Sequence, residues 1–471
     1  MTFVVLALTL GIAQALLQPP GQVTDEGGHF GRSARVAIGD WLPRRGDVFA
    51  PGSPELVAYL YHFYSKELEL RESVPRDRVP FAAYTLGEYF ATPPPLAGQE
   101  HGRQALLIGT ARLNPSHGYL GQAAFLTVAS WLGDAPALHF YAGRLGALFA
   151  AVAVTSAAIA ILPAGRWLFV FCAMTPMLLI IRSSFSSDSM TVSLSWLTVA
   201  LFLRARVRSE PIRGPEIAAL LAACLGMTLL KANLVLFPMI ALLLPADRFP
   251  DARWRWATIA ALLTIPSIAT FGWWSWVSAT DSTVVITPAP VATRGVASIL
   301  PLLPQFVLES PTLLAGNGWK WLGQLVGDYY GSPGYRSLTI ALPDWSIALW
   351  VALLAMLVAT APRHPRIGPS AAAVAAGLGL ALLLGTMFLF WLGPHLGGPI
   401  DHQIEFMGGR YLHPSLALVV PFALGLQALR GNAPASRARL ATHRGVAVIG
   451  AVVLMVTSLL TNLRMNLGWP D

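Results

Sequence analysis

Charge is what this chain has least of. Only 12% of its 471 residues are Asp, Glu, Lys or Arg, against roughly a quarter in soluble domains, and that scarcity excludes an ordinary soluble protein. Cysteine is almost missing. Cys172 and Cys224 both lie inside apolar runs, which excludes a disulfide framework and a Cys-based metal site and makes them small buried hydrophobes. No basic stripe with interleaved aromatics occurs, so the net charge of +8 (32 basic minus 24 acidic) does not point to nucleic acid. No short-period repeat is present, which excludes a solenoid. Nor does a basic segment precede the first apolar stretch, residues 3–17. Ala13-Gln14-Ala15 mimics a cleavage site, but without that basic segment the stretch is predicted to be an uncleaved first span.

What is there is apolar: 55% of residues are hydrophobic, the mean hydropathy is +0.57, and 15 Trp suit two interfacial belts. Apolar runs fall near 3–18, 137–162, 167–182, 187–203, 215–230, 232–245, 255–277, 344–361, 371–392, 411–429 and 445–463. About twenty residues make a comfortable crossing, so 215–245 is long for one span and short for two. Arginine arbitrates. Arg204, Arg206, Arg208 and Arg213 mark one cytoplasmic loop, and Arg248, Arg253 and Arg255 another. Both are cytoplasmic only if 215–245 crosses twice and turns on the outer side near Lys231. The same count puts Arg363, Arg366, Arg430, Arg437, Arg439 and Arg444 inside, the N-terminus inside and the C-terminus outside, with about eleven spans.

The expected architecture is a single integral membrane domain over 1–471, all-α and polytopic, with two large outward segments. The first, 19–136, contains Pro54–Tyr64, which reads as short helices lying on the membrane, and the spacer Pro93-Pro94-Pro95. The second, 278–343, is rich in Pro, Gly and Trp and predicts an irregular cap with short helices near 296–309 and 313–330.

On this topology the unusual polar residues collect on the outer face. Asp25, Glu26, His29 and Arg32 open the first outer loop, and Asn114-Pro115-Ser116-His117-Gly118-Tyr119 comes near its end. Arg144 lies in the outer turns of the next span, and Arg182, Ser187 and Asp188 in a Ser-rich outer turn. Lys231 and Asn233 sit at the outer hairpin, and Arg410 and Tyr411 open a late span. Cations at that interface suit a lipid-linked phosphate, and a carboxylate beside them suits a general base for an acceptor hydroxyl. Each residue also has a plainer role. Asp25 and Asp188 are helix N-caps in that reading, Arg144 snorkels, and Arg182 and Arg410 anchor at the interface. Lys231, flanked by apolar residues, is the hardest to explain that way. His395, His402 and Glu405 are of the kind a divalent metal takes, at a spacing that matches no defined motif.

These residues give the chain its resemblance to the DUF2142 family of bacterial polytopic membrane proteins, which look like GT-C-fold glycosyltransferases. The motifs are Asp25-Glu26-x-x-His29-Phe30-x-Arg32, Asn114-Pro115…Tyr119, Arg144, the Ser-rich turn ending in Asp188, Lys231, and Gly409-Arg410-Tyr411 with Pro414. The resemblance implies a GT-C-like bundle and a polyprenyl-phosphate sugar donor. It also implies an acidic base in the first outer loop: Asp25, with Glu26 as second candidate. Arg144, Arg182, Lys231 and Arg410 would hold the donor phosphate, and His29, Arg32, Asn114, Tyr119, Ser187, Asp188 and Tyr411 the substrates. The acceptor would be an envelope glycan, lipid or protein at the outer face of a bacterial inner membrane. No cofactor is implied with certainty, and a divalent metal fits. Gly408, where Gln is expected, and Ser116-His117-Gly118 depart from the family pattern. Two other readings compete: a glycan polymerase or ligase acting on lipid pyrophosphates, and a lipid-linked sugar transporter or flippase, which would keep its polar site near the bilayer midplane.

Overall fold

The computed structural model describes residues 1–21, 23, 25–42, 58–60, 62–63, 85–91, 111, 114–280, 300–327, 329–330, 339–340, 342–395, 409–429 and 437–467. It is an all-α, multi-pass membrane protein. The helices are α1 (Thr2–Leu17), α2 (Glu26–Ala37), α3 (Leu86–Phe90), α4 (Leu120–Leu132), α5 (Pro136–Ile161), α6 (Arg166–Ala173), α7 (Pro176–Arg182) and α8 (Asp188–Val207). They continue with α9 (Gly214–Leu230), α10 (Ala252–Thr280), α11 (Leu303–Val326), α12 (Asp344–Ala359), α13 (Pro369–His395), α14 (His413–Leu416), α15 (Val419–Leu429) and α16 (Arg437–Leu467). Among the described residues, five are long and apolar enough to cross a membrane: Pro136–Ile161, Asp188–Val207, Ala252–Val277, Pro369–Leu392 and Leu440–Arg464. Five shorter apolar segments accompany them: Thr2–Leu17, Gly214–Leu230, Ala232–Leu243, Asp344–Ala359 and His413–Leu429. Among the described residues the strand content is a two-residue antiparallel ladder, Tyr329–Tyr330 with Thr339–Ile340.

α8 is the centre of the packing, touching α5, α7, α9 and α14. Its Trp196 is fully buried edge-on against Phe169 of α6, with ring centroids 4.3 Å apart. Twenty residues long, it spans about 30 Å at 1.5 Å per residue, the thickness of a bilayer's hydrocarbon core. Asp188 marks one end and Val207 the other. At the Val207 end the arginine-rich loops meet. Arg206 donates to Leu243 O (2.6 Å) and Ser370 Oγ (3.2 Å), Arg366 to Val207 O (2.6 Å), Arg255 to Leu244 O (3.0 Å), and Arg248 to Ser209 O.

The ambiguous stretch 215–245 does run both ways. α9 climbs to Lys231, which pairs with Asp188, and the chain returns so that Leu243 and Leu244 lie at the arginine end. Its return leg is 3-10 rather than α, over Ala232–Leu234 and Phe237–Leu243. At about 2.0 Å rise per residue the 3-10 residues 232–234 and 237–243 cover about 20 Å, against about 15 Å for the same residues as α-helix.

Two further expectations are corrected by proline. The run 167–182 is two helices, because Pro176 has no N–H and holds Thr175 in an extended conformation (φ −66°, ψ 143°). Conversely, the second outer segment holds one 24-residue helix, α11, through Pro311. The carbonyl that Pro311 leaves without a donor, Val307 O, accepts from the Ser310 hydroxyl at 3.1 Å, so the helix continues; residues 296–299 of the expected first helix lie outside the described residues. In the first outer segment, described residues 58–60 and 62–63 are helical. Rather than lying on lipid, Tyr59, Leu60 and Phe63 are buried with Phe30, Tyr89, Phe140 and Phe185. The Pro93-Pro94-Pro95 spacer lies outside the described residues.

Candidate functional site

The adjacent carboxylates Asp25 and Glu26 have opposite environments. Asp25 precedes α2 in the left-handed region (φ 61°, ψ 13°), the one non-glycine at positive φ among the described residues, and is exposed. Such a conformation is uncommon outside glycine, Asn and Asp. Glu26 is 1% exposed and meets Arg144 of α5 as a bidentate pair, Nε–Oε1 2.9 Å and Nη2–Oε2 2.7 Å, with neither side chain reaching solvent. Backbone N–H groups of Gly21 (3.1 Å) and Phe185 (3.4 Å) also donate to the Glu26 carboxylate. The remaining Arg144 donors go to carbonyls just past or at the end of α1: Ala15 (2.8 Å), Gln18 and Pro19 (3.0 Å). A guanidinium has five N–H donors, and all five are engaged. The expected phosphate contact through Arg144 therefore has no donor left, and the Glu26 carboxylate, capped by four donors, is part of the same sealed unit.

Arg182 is likewise fully enclosed. It donates to Ala173 O, the carbonyl exposed by the break before Pro176, and to Thr155 Oγ1 at 3.3 Å. Its guanidinium also lies 5.9 Å from the Phe3 ring centroid. It closes the helix break instead of facing a cleft.

The segment Asn114–Tyr119 is a wedge between α2, α8 and α9. Arg32 clamps it, donating to Asn114 O (3.1 Å), Ser116 Oγ (2.8 Å), Asp40 O (3.0 Å) and Trp41 O (2.8 Å). His29 Nδ1 is hydrogen-bonded to the Tyr119 hydroxyl at 2.7 Å, and Asn114 Nδ2 donates to that hydroxyl (3.0 Å) and to Ser187 Oγ (3.2 Å). Burial holds the Tyr119 phenol above its ordinary range, against hydrogen bonds from Asn114 and Ser187 that act the other way. His117 is bonded to Gly226 O at 2.8 Å; burial lowers its pKa and the Gly226 bond opposes that. Gly118 has no room for a side chain, since a Cβ there would lie 2.6 Å from Leu230 Cδ2 and 3.3 Å from Ser187 Cβ. The chain from His29 thus ends on Ser187, next to Asp188.

Asp188 opens α8 and pairs with Lys231 at the end of α9, Nζ–Oδ1 2.8 Å. Lys231 keeps a quarter of its side chain exposed while Asp188 keeps 6%, and the ammonium lies 4.9 Å from the Tyr411 ring centroid. Asp188, Thr191, Lys231, Asn233 and Tyr411, with Val192, Leu234 and Pro414, line a small cleft. Asn233 donates to Thr386 Oγ1 of α13 at 3.2 Å, which fixes its amide. Thr191 was not foreseen from sequence, although its position one turn beyond Asp188 puts it on the same face. The Arg410 side chain lies outside the described residues, as do His402, Glu405 and the His395 side chain. Among the described residues no group of three His, Cys, Asp or Glu could hold a metal.

Of the residues expected at the site, the geometry brings Asp188, Lys231 and Tyr411 into one cleft and backs it with Ser187, Asn114, Tyr119, His29 and Arg32. It withdraws Glu26, Arg144 and Arg182 into the bundle. Residues 93–419 match the family of predicted membrane proteins DUF2142, more than half of the chain, and the chain belongs to that family. No curated protein and no solved structure matches it.

Proposed function

We propose that this protein is a GT-C-type glycosyltransferase, a bundle of about eleven spans in a bacterial inner membrane, with the Asp188 end extracytoplasmic and the arginine end inside. The observation that carries the reading is the cleft at the Asp188 end of α8. A partly exposed ammonium, an aromatic ring, an amide and a carboxylate converge there. Lys231 is a point charge with three rotatable donors and suits the phosphate of a polyprenyl-phosphate sugar. Asp25, exposed at the head of α2, is the proposed general base. It takes the proton of an acceptor hydroxyl as the new C–O bond forms and the sugar–phosphate bond breaks, the departing phosphate being held by Lys231. Arg410 remains in this proposal as a second phosphate ligand, whereas Arg144 and Arg182 do not. The arginine end and the cleft lie at opposite ends of α8, which favours this reading over a transporter with a midplane site.

The test is transfer from a panel of polyprenyl-phosphate sugars by purified protein in detergent. Asp25→Asn should abolish transfer and leave donor binding intact, and Lys231→Ala should weaken donor binding at least tenfold. Full activity in Asp25→Asn refutes the base assignment, and unchanged donor affinity in Lys231→Ala refutes the phosphate site.

A further inference from the structure

Several arginines at the Val207 end of α8 have the open donors that Arg144 lacks. The three loops gathered there, residues 204–216, 247–255 and 363–366, carry nine arginines, no lysine and four carboxylates. Two of those carboxylates are committed: Glu216 Oε1 takes Arg208 at 2.7 Å, and Asp251 Oδ1 caps α10 on the Trp254 N–H at 2.9 Å. The Arg204 and Arg253 side chains donate to no protein group among the described residues. Arg255 and Arg366 each spend one of five donors, on Leu244 O and Val207 O. α10 sets their depth. Trp254 and Trp256 are 62% and 54% exposed in its first turns, and Trp276 is 41% exposed near its end. The twenty residues from Trp256 to Trp276 span about 30 Å, the thickness of a bilayer's hydrocarbon core. Ile265, Ile268 and Phe271 face outward between them. Interfacial tryptophans sit at headgroup level, so Arg253 and Arg255, which alternate with Trp254 and Trp256, lie there too. Residues 270–280 at the other end carry no charged side chain.

We propose that the Val207 end is a docking surface for anionic phospholipids, whose phosphates are held by Arg204, Arg253, Arg255 and Arg366 while the Trp254 and Trp256 rings lie beside the glycerol. A guanidinium presents paired N–H donors to phosphate oxygens. The surplus of arginine over carboxylate favours a headgroup of net negative charge over a zwitterionic one, whose ammonium finds Glu216 and Asp251 already committed. Spacing favours lipid over a protein partner. At 3.6 residues per turn the four successive side chains from Arg253 to Trp256 ring the helix instead of marking one face; three of them are exposed, and the half-buried Arg255 lies 4.6 Å from the Trp256 ring centroid. A partner protein covers one side of a helix, whereas a headgroup layer surrounds it. This surface lies at the opposite end of α8 from the cleft and does not depend on what the cleft binds.

The probes are brominated phosphatidylglycerol and brominated phosphatidylcholine, titrated into the purified full chain in detergent, with binding read as the quench of tryptophan fluorescence. Phosphatidylglycerol should bind about tenfold tighter than phosphatidylcholine or better, since each arginine near an anionic surface is worth about fivefold. Arg253→Gln should lower that ratio about fivefold, and Arg204→Gln combined with it should bring the ratio to within about twofold of one. Neither side chain has a protein contact to lose among the described residues, so both variants should fold. A ratio near one in the wild type overturns the proposal, and so does an unchanged ratio in the double variant. Arg208→Gln, which removes a guanidinium already paired with Glu216, should keep the preference; a loss as large as that of Arg253→Gln would mean that net charge alone acts and would overturn the assignment. Trp254→Phe with Trp256→Phe should remove part of the quench by phosphatidylglycerol, and an undiminished quench places the lipid elsewhere and overturns the surface. Glycerol 3-phosphate competing as well as the lipid would assign the arginines to a free anion and overturn lipid docking.

Discussion

Replacing Glu26 by Gln tests whether the acidic doublet is chemistry or architecture. Glu26 and Arg144 have no solvent exposure, and the carboxylate takes two of the five guanidinium donors. The substitution removes the one charge paired with Arg144 among the described residues and turns an amide N–H₂ toward guanidinium N–H groups. Breaking a buried pair by removing one partner costs about 3–5 kcal/mol, against total stabilities of about 5–15 kcal/mol. Glu26→Gln should therefore lose a large share of its stability, read as a lowered melting transition by tryptophan fluorescence in detergent. Removing both charges, as in Glu26→Leu with Arg144→Leu, should recover only part. The carbonyls of Ala15, Gln18 and Pro19 would then be left without their donors. Asp25→Asn is the contrast: it is exposed, and Asn tolerates the left-handed backbone at φ 61°, so its stability should stay within about 0.5 kcal/mol of wild type. If Glu26→Gln melts like wild type, the sealed-pair argument is wrong and Glu26 returns as a candidate base.

Other perturbations probe the packing around the site. Gly146→Ala should cost about 1–3 kcal/mol by overpacking, because its Cβ would sit 2.3 Å from Gly121 O across the α4–α5 contact. Gly377→Ala, with nothing within 4 Å, should be neutral or slightly stabilising in the same thermal assay. His117 has a folded pKa depressed by burial, so the unfolded chain binds its proton first. Its contribution is complete above the unfolded value of about 6.5 and is lost as pH falls below it. The drop in melting temperature between pH 8 and pH 5.5 should accordingly be smaller in His117→Gln than in wild type, and an equal drop would remove His117 as the cause.

The helical runs were legible because lipid selects for uninterrupted apolar sequence, and each expected run has a helical counterpart among the described residues. The reversal near Lys231 was also legible: the chain beyond it returns to Arg206 and Arg255, which hold the carbonyls of Leu243 and Leu244. That the return leg is 3-10 was not legible: the composition of 232–244 is as apolar as that of an α span, and only the distance it has to cover dictates the longer rise. The break at Pro176 and the continuity through Pro311 were opaque for a related reason. A proline alone does not say which way it acts: the residue before Pro176 is extended, whereas at Pro311 the carbonyl left without a donor accepts from Ser310 and the helix continues. Asp188 and Lys231 were legible as occupants of one membrane face but not as partners, because 43 residues separate them.

The arginines expected to grip phosphate went astray for a physical reason that extends to the whole chain. In lipid, a carbonyl at a helix end has no water to turn to, and a guanidinium with five donors can serve several such carbonyls at once. Arg144 does so for three carbonyls at the end of α1, Arg182 holds one at the end of α6, and Arg366, Arg206 and Arg255 each hold one where α8 and the 3-10 leg end. His413, Gln427 and His443 do the same for carbonyls near the ends of α11 and α12. An arginine near a membrane boundary is thus weak evidence for an anionic ligand until its donors are counted. Lysine is different: its compact ammonium at position 231 reaches a carboxylate and an aromatic face and keeps a quarter of its side chain open to a cleft. The site proposed at Lys231 has a cation partly exposed at a cleft, which Arg144, with all five donors on Glu26 and backbone carbonyls, does not offer.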